Sequence, residues 1–205
     1  MKVIFLDNDG VICLSDNRGG RFKEQRAFFT EDNPRKSFGD NSPVEVRFDD
    51  FDKNATKVLN SILEETGAEI VVSSDWRFHA TLEELGDYYE AQGIIKRPIG
   101  VTERFHFTSW LEDGFIKDHG EFPWNTHEDL EQQRHFEIKR WLRDHPEVTH
   151  WVAIDDLHMG VHVKADSHGS YDRDWGLQNF VWTPRQNEGI KQSGVKDKVL
   201  KFLND

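Results

Sequence analysis

The stretch Val3-Ile4-Phe5-Leu6-Asp7-Asn8-Asp9-Gly10-Val11 runs four apolar residues directly into two carboxylates spaced one residue apart. A short apolar run that is continuous rather than alternating is the pattern of a strand buried on both faces of a parallel sheet. Acids at the carboxyl end of such a strand are costly unless something uses them, and in a doubly wound sheet that end is where ligands bind. An ordinary turn, in which Asp and Gly satisfy the backbone, is the plainer reading of the same residues. A calcium loop does not fit. With Gly10 at its sixth place, the first and twelfth places fall on Phe5 and Asp16, where that loop needs an acid and a Glu.

Further apolar runs follow outward from this one. They are Ala68 to Val72, a weaker run of Ile94-Ile95 with Ile99-Gly100-Val101 broken by Pro98, then Trp151 to Ile154, and Phe180 to Thr183. Helical spacing separates most of them. Ala55, Val58, Leu59, Ile62 and Leu63 share a helix face that Gly67 is suited to stop. Ile138, Trp141 and Leu142 mark a helix ended by Pro146, and Val195, Val199, Leu200 and Leu203 mark a last one. Strands alternating with helices predict an α/β fold, a Rossmann-like doubly wound parallel sheet. Three stretches interrupt the pattern at about 15–48, 103–133 and 157–179, and are expected to be insertions on a single domain, 1–205.

Composition narrows the partners. The 205 residues carry 26 basic and 38 acidic side chains, for a net charge of -12. That balance speaks against a protein that coats long duplexes or sits on anionic lipid. Cys13 is the single cysteine, so no disulfide staples the fold, while 7 Trp and 15 Phe supply bulk for a core. The opening apolar run is too short for a signal peptide or a membrane span, and the expected setting is cytoplasmic.

Strand ends gather the chemistry. Besides Asp7 and Asp9, the second strand ends in Ser73-Ser74-Asp75, the fourth in Asp155-Asp156, and Arg134 lies near the start of the helix before the fourth. Parallel strands bring these ends to one sheet edge. Carboxylates gathered this way suit a hard divalent ion such as Mg²⁺.

These motifs, in this order, resemble the haloacid dehalogenase (HAD) superfamily of phosphohydrolases, and the resemblance spans nearly the whole chain. Asp7-Asn8-Asp9-Gly10-Val11 is similar to its first motif, Ser73 or Ser74 to its second, Arg134 to its basic third (Lys139 and Arg140 lie close), and Asp155-Asp156 to its acidic fourth. More narrowly, Ser73-Ser74-Asp75-Trp76-Arg77, preceded by Glu64-Glu65-Thr66-Gly67-Ala68, and Gly189-Ile190 near the end resemble the phosphatase-like domains of RNA-repair and phage proteins. The resemblance implies a HAD-like fold with small cap-type insertions. It also implies Asp7 as nucleophile, Asp9 as general acid and base, Ser73, Ser74 and Arg134 as phosphate-binding residues, and Mg²⁺ held by Asp7, Asp9 through its backbone carbonyl, Asp155 and Asp156. A second Asp at position 9 marks the phosphoryl-transfer branch of that superfamily.

Other residues carry plainer readings. His158, His162 and His168 lack the partners of a transition-metal site and read as loop residues. Cys13 reads as a small buried hydrophobe. Trp110, Phe115, Phe122 and Trp124 suit either base stacking or the private core of an insertion. Trp76 and Arg77 either border the phosphate pocket or pack beside an exposed ion pair. For the substrate, residues 18–36 hold Arg18, Arg21, Lys23, Arg26, Arg35 and Lys36 against Glu24, Glu31 and Asp32, whereas 103–137 hold nine acids against three bases. A nucleotide or a nucleic-acid terminal phosphate fits this balance. A small non-nucleotide metabolite or a non-catalytic HAD-like binding module are the alternatives.

Overall fold

The computed structural model describes residues 1–17, 28, 30, 42–115, 127–165, 169–172 and 175–205. Its centre is a five-stranded parallel sheet of β1 (Lys2–Leu6), β2 (Glu69–Val72), β3 (Gly100–Val101), β4 (His150–Asp155) and β7 (Phe180–Trp182), in the order β3-β2-β1-β4-β7. The central strand is paired on both sides, with Leu6 opposite Val72 in β2 and Ile154 in β4. Its apolar residues are buried on both faces, which explains why the run is continuous.

Successive side chains point to opposite faces, so each strand feeds two cores. Ile4, Leu6, Ile70, Val72, Val152 and Ile154 pack with α2 (Lys53–Thr66) and α6 (Val195–Asn204). Val3, Phe5, Val71 and Ala153 pack with Ile138 and Trp141 of α5 (His127–Asp144). The ends of α2 follow local chemistry. The Asp52 side chain accepts from the backbone N–H groups of Asn54 and Ala55, and Gly67 closes the helix at φ +69°.

The sequence did not single out α3 (Leu82–Ala91), which buries Leu85, Tyr88 and Tyr89 and opens on a reciprocal Thr81/Glu84 capping box. The single turn α1 (Val44–Arg47) and α4 (Phe107–Glu112) lie within two of the interrupting stretches. The third stretch contains an antiparallel hairpin, β5 (His162–Ala165) with β6 (Gly169–Asp172). The weak third run shortens to two strand residues; Ile94 and Ile95 precede Pro98 outside the strand, Ile94 buried and Ile95 exposed. Among the described residues, no helix is long and apolar enough to cross a membrane.

Candidate active site

Backbone pairing brings the strand ends together. The Asp7 N–H donates to the Ile154 carbonyl at 3.1 Å, and the Ser73 N–H donates to the Leu6 carbonyl at 2.9 Å. Asp7 therefore leaves the sheet between Ser73 and Asp155. The chain then turns tightly, the Asn8 carbonyl accepting from the N–H groups of Val11, Ile12 and Cys13 at 3.3, 3.0 and 2.8 Å. Tyr89, buried in α3, donates its hydroxyl to Asn8 Oδ1 at 2.5 Å and ties the middle residue of the motif into the core. Gly10 sits at φ +73°, and a Cβ there would stand 2.4 Å from Asp156 Oδ2. Glycine is thus required both by the turn and by the neighbouring carboxylate.

Three carboxylates converge here. Asp7, Asp155 and Asp156 each offer an oxygen, all within 4.8 Å of one another. Arg134 projects from the second half of the first nine residues of α5, not from its first turn, and its Nη1 lies 3.0 Å from Asp155 Oδ2 and 3.2 Å from Asp7 Oδ1. Its Nη2 donates to Asp75 Oδ1 at 2.9 Å. Burial raises the Asp7 carboxyl well above the usual carboxylate range and the nearby Asp155 adds to this, while Arg134 opposes it. Burial also pushes Asp155 up to about 6, against the pull of Arg134 and the Leu157 N–H. Burial disfavours the charge on Arg134, but Asp155, Asp7 and Asp75 outweigh it and hold the guanidinium protonated. A buried acid cluster that resists full ionisation, with an all-oxygen donor set, is the environment a hard divalent cation relieves. The residues present fit Mg²⁺.

The other motif residues surround this cluster. Asp9 Oδ2 accepts the indole N–H of Trp76 at 2.8 Å, and Trp76 is itself clamped by a parallel stack on Phe48 at 4.2 Å. Asp156 Oδ2 accepts from Gln186 Nε2 at 2.5 Å, and the Asp156 carbonyl accepts from the Trp182 indole at 2.9 Å. The Ser73 and Ser74 hydroxyls are buried without a hydrogen-bond partner among the described residues. Buried hydroxyls left unmade are costly, and they suit a ligand that accepts hydrogen bonds.

A cleft of about 300 Å³ opens over this cluster, lined at its floor by Asp7, Asp9, Ser74 and Arg134. Arg77 forms one wall. The sequence left it the option of an exposed ion pair, but the pair is buried: Nη2 lies 2.5 Å from Glu137 Oε2, and Nε donates to the Thr102 carbonyl at 3.0 Å. Glu137 also accepts the Phe105 N–H at 2.8 Å, and burial raises its carboxyl despite Arg77. Glu137 and Gln186 were not legible as site residues, because nothing local in the sequence links them to the motifs.

Several alternatives resolve on geometry. Of the three neighbouring basic residues, Arg134 faces the acids, Lys139 is exposed, and Arg140 pairs with Asp113 and lies over the rings of Trp110 and Phe115 at 5.5 and 5.2 Å. Trp110 is buried with Phe105, and Phe107, Leu111, Phe115 and Phe136 pack around them, so these aromatics form a small core. His158 packs edge-on against Trp182 at 4.4 Å, His162 is exposed, and Cys13 is fully buried in the main core. Phe122, Trp124, His168 and the charged residues from Arg18 to Lys36 named above lie outside the described residues.

A protein-family model described as the HAD domain in Swiss Army Knife RNA repair proteins matches residues 3–183. No curated protein and no solved structure matches the chain.

Proposed function

We propose that this chain, which belongs to the family of HAD domains in Swiss Army Knife RNA repair proteins, is a Mg²⁺-dependent phosphomonoester hydrolase. Its substrate is a nucleotide or the terminal phosphate of a nucleic acid. The observation that carries the reading is the convergence of Asp7, Asp155 and Asp156 within 4.8 Å, with Arg134 bridging Asp7 and Asp155. We read the chain as one cytoplasmic domain with insertions at about 15–48, 103–133 and 157–179.

In this reading an Asp7 carboxylate oxygen attacks phosphorus in line, forming an aspartyl-phosphate as the bond to the leaving oxygen breaks. Asp9 gives its proton to that leaving oxygen. Water then attacks the phosphorus and releases Asp7, and Asp9 takes up the water proton, each transfer contributing typically ~10²–10⁴-fold. The Trp76 indole keeps the Asp9 carboxylate in position for both transfers. Ser73 and Ser74 donate to the equatorial phosphate oxygens and Arg134 matches their charge, where transition-state charge is spread. The carboxylates of Asp7, Asp155 and Asp156 and the Asp9 carbonyl would hold Mg²⁺. When bound, the ion would reduce the repulsion between an anionic nucleophile and an anionic phosphate.

The test is phosphate release from nucleotides, sugar phosphates and oligonucleotides phosphorylated at either end, with and without Mg²⁺. Release should need Mg²⁺, favour nucleotides or strand ends, and fall by roughly 10³-fold or more in Asp7→Asn, as expected when the covalent route is removed. Equal release from wild type and Asp7→Asn would overturn the reading. Preferential turnover of sugar phosphates would move the substrate to a non-nucleotide metabolite.

A further inference from the structure

The chemistry above uses the floor of the cleft and leaves its mouth without a role. On the floor Asp7, Ser74 and Arg134 are buried, whereas Phe78 and Leu130 at the mouth are 39% and 53% exposed and Arg104 is exposed beside them. At about 300 Å³ the cleft has room for about ten waters, more than one phosphate group fills. Phe78 ends the short 3₁₀ turn Asp75–Phe78 that follows Ser73 and Ser74, so the strand end that supplies the serines also supplies this ring. Two guanidinium groups lie against it, Arg77 at 4.1 Å and Arg104 at 5.0 Å from the ring centroid.

The two arginines differ in freedom. Arg77 is fixed by Thr102 and Glu137, yet its buried Nη1 makes no hydrogen bond among the described residues, and the nearest carboxylate oxygen paired with it, on Asp75, is 3.6 Å away. Arg104 has no ion-pair partner among the described residues, although the chain carries a net charge of -12. Among the described residues, Arg134 and Arg77 are therefore matched by carboxylates at the cleft, and Arg104 is not. Arg104, a planar guanidinium held against an aromatic face and exposed at the cleft, is suited to a phosphate, and the buried Arg77 guanidinium against the same ring adds positive charge.

We infer that Arg104 and Arg77, gathered around Phe78, form a second anion position in the cleft, which takes a phosphate carried by the leaving group. The inference rests on the hydrolase reading and sharpens it. The preferred substrate carries a second phosphate near the scissile one, either an internucleotide diester or a second monoester. An isolated mononucleotide or sugar phosphate fills only the floor.

The test separates binding from turnover. Equilibrium binding is measured on Asp7→Asn protein, with Mg²⁺ present, for adenosine 5′-monophosphate, adenosine 3′,5′-bisphosphate and a dinucleotide bearing one terminal phosphate. At least one of the two-phosphate ligands should bind about tenfold more tightly than the monophosphate, the size of one charge-assisted contact, and added salt should narrow the gap. A gain for the dinucleotide alone identifies a diester, and a gain for the bisphosphate alone a monoester. Adding Arg104→Met, an exposed change that keeps much of the side-chain stem, should close the gap. Equal binding of all three ligands, or a gap that survives Arg104→Met, would overturn the inference. If the gap is present but wild-type protein releases no phosphate from any ligand, the hydrolase reading fails and the anion position stands.

Discussion

At the residue scale, Trp76 does more than pack. Its indole N–H is the donor to Asp9, and its ring is held on Phe48 at an interplanar angle of 3°. Trp76→Phe preserves the stacking partner and removes the donor, so its effect should be mainly kinetic. Hydrogen bonds to charged groups contribute about 1.5–3 kcal/mol, and kcat should fall about tenfold or more with KM little changed. Steady-state kinetics beside thermal unfolding checks this; an equal fractional loss in kcat and in folded protein would mean that Trp76 is only structural. This contact also marks a limit of sequence reading. Asp7, Asp9 and Gly10 are legible because their chemistry is contiguous, and Asp155 and Asp156 because they end a strand. Trp76 stands 67 residues from Asp9, and only the fold reveals which atom its indole meets.

At the element scale, α5 carries an acid-side pH signature outside the acid cluster. His135 follows Arg134 and is buried, which lowers its imidazole to about 3, the charge of Lys139 one turn further on adding to the effect. The folded state therefore keeps this group neutral where the unfolded chain protonates it. Its contribution is complete above pH 6.5 and is lost as pH falls toward about 3. Urea unfolding of wild type and His135→Phe between pH 7 and pH 4 should show wild type losing ground below pH 6.5, with a slope approaching about 1.4 kcal/mol per pH unit. Parallel curves would contradict it. The same scale shows what periodicity captures. The β1, β2, β4 and β7 runs and the helices α2, α5 and α6 stand out because in each a buried set of apolar residues recurs at strand or helix spacing. The helix α3 escapes the sequence reading because its charged residues mask its apolar face, and its Thr81/Glu84 capping box emerges only in the structure. The β5–β6 hairpin has no apolar run at all: Lys164 pairs with Ser170 and His162 with Asp172, so tertiary context rather than composition decides it.

At the scale of the whole molecule, the acid excess and the site are separate matters. Asp7, Asp155 and Asp156 converge, but most of the 38 acids lie elsewhere. Net repulsion disfavours long polyanions, while the cations at the cleft, Arg134, Arg77 and Arg104, are local and few. A chain end can enter such a cleft without the rest of the strand lying along an acidic surface. Family membership agrees with the reading of the motifs, and the parallel sheet brings together the strand ends on which that reading depends. The central claim is that phosphate leaves its ester by way of Asp7. Wild-type protein quenched in acid during Mg²⁺-dependent turnover of a phosphorylated oligonucleotide, then mapped by peptide mass spectrometry, tests it most directly. A phosphoryl group should be found on Asp7 and be absent from Asp7→Asn; sustained release with no adduct, undiminished in Asp7→Asn, would rule out the covalent route.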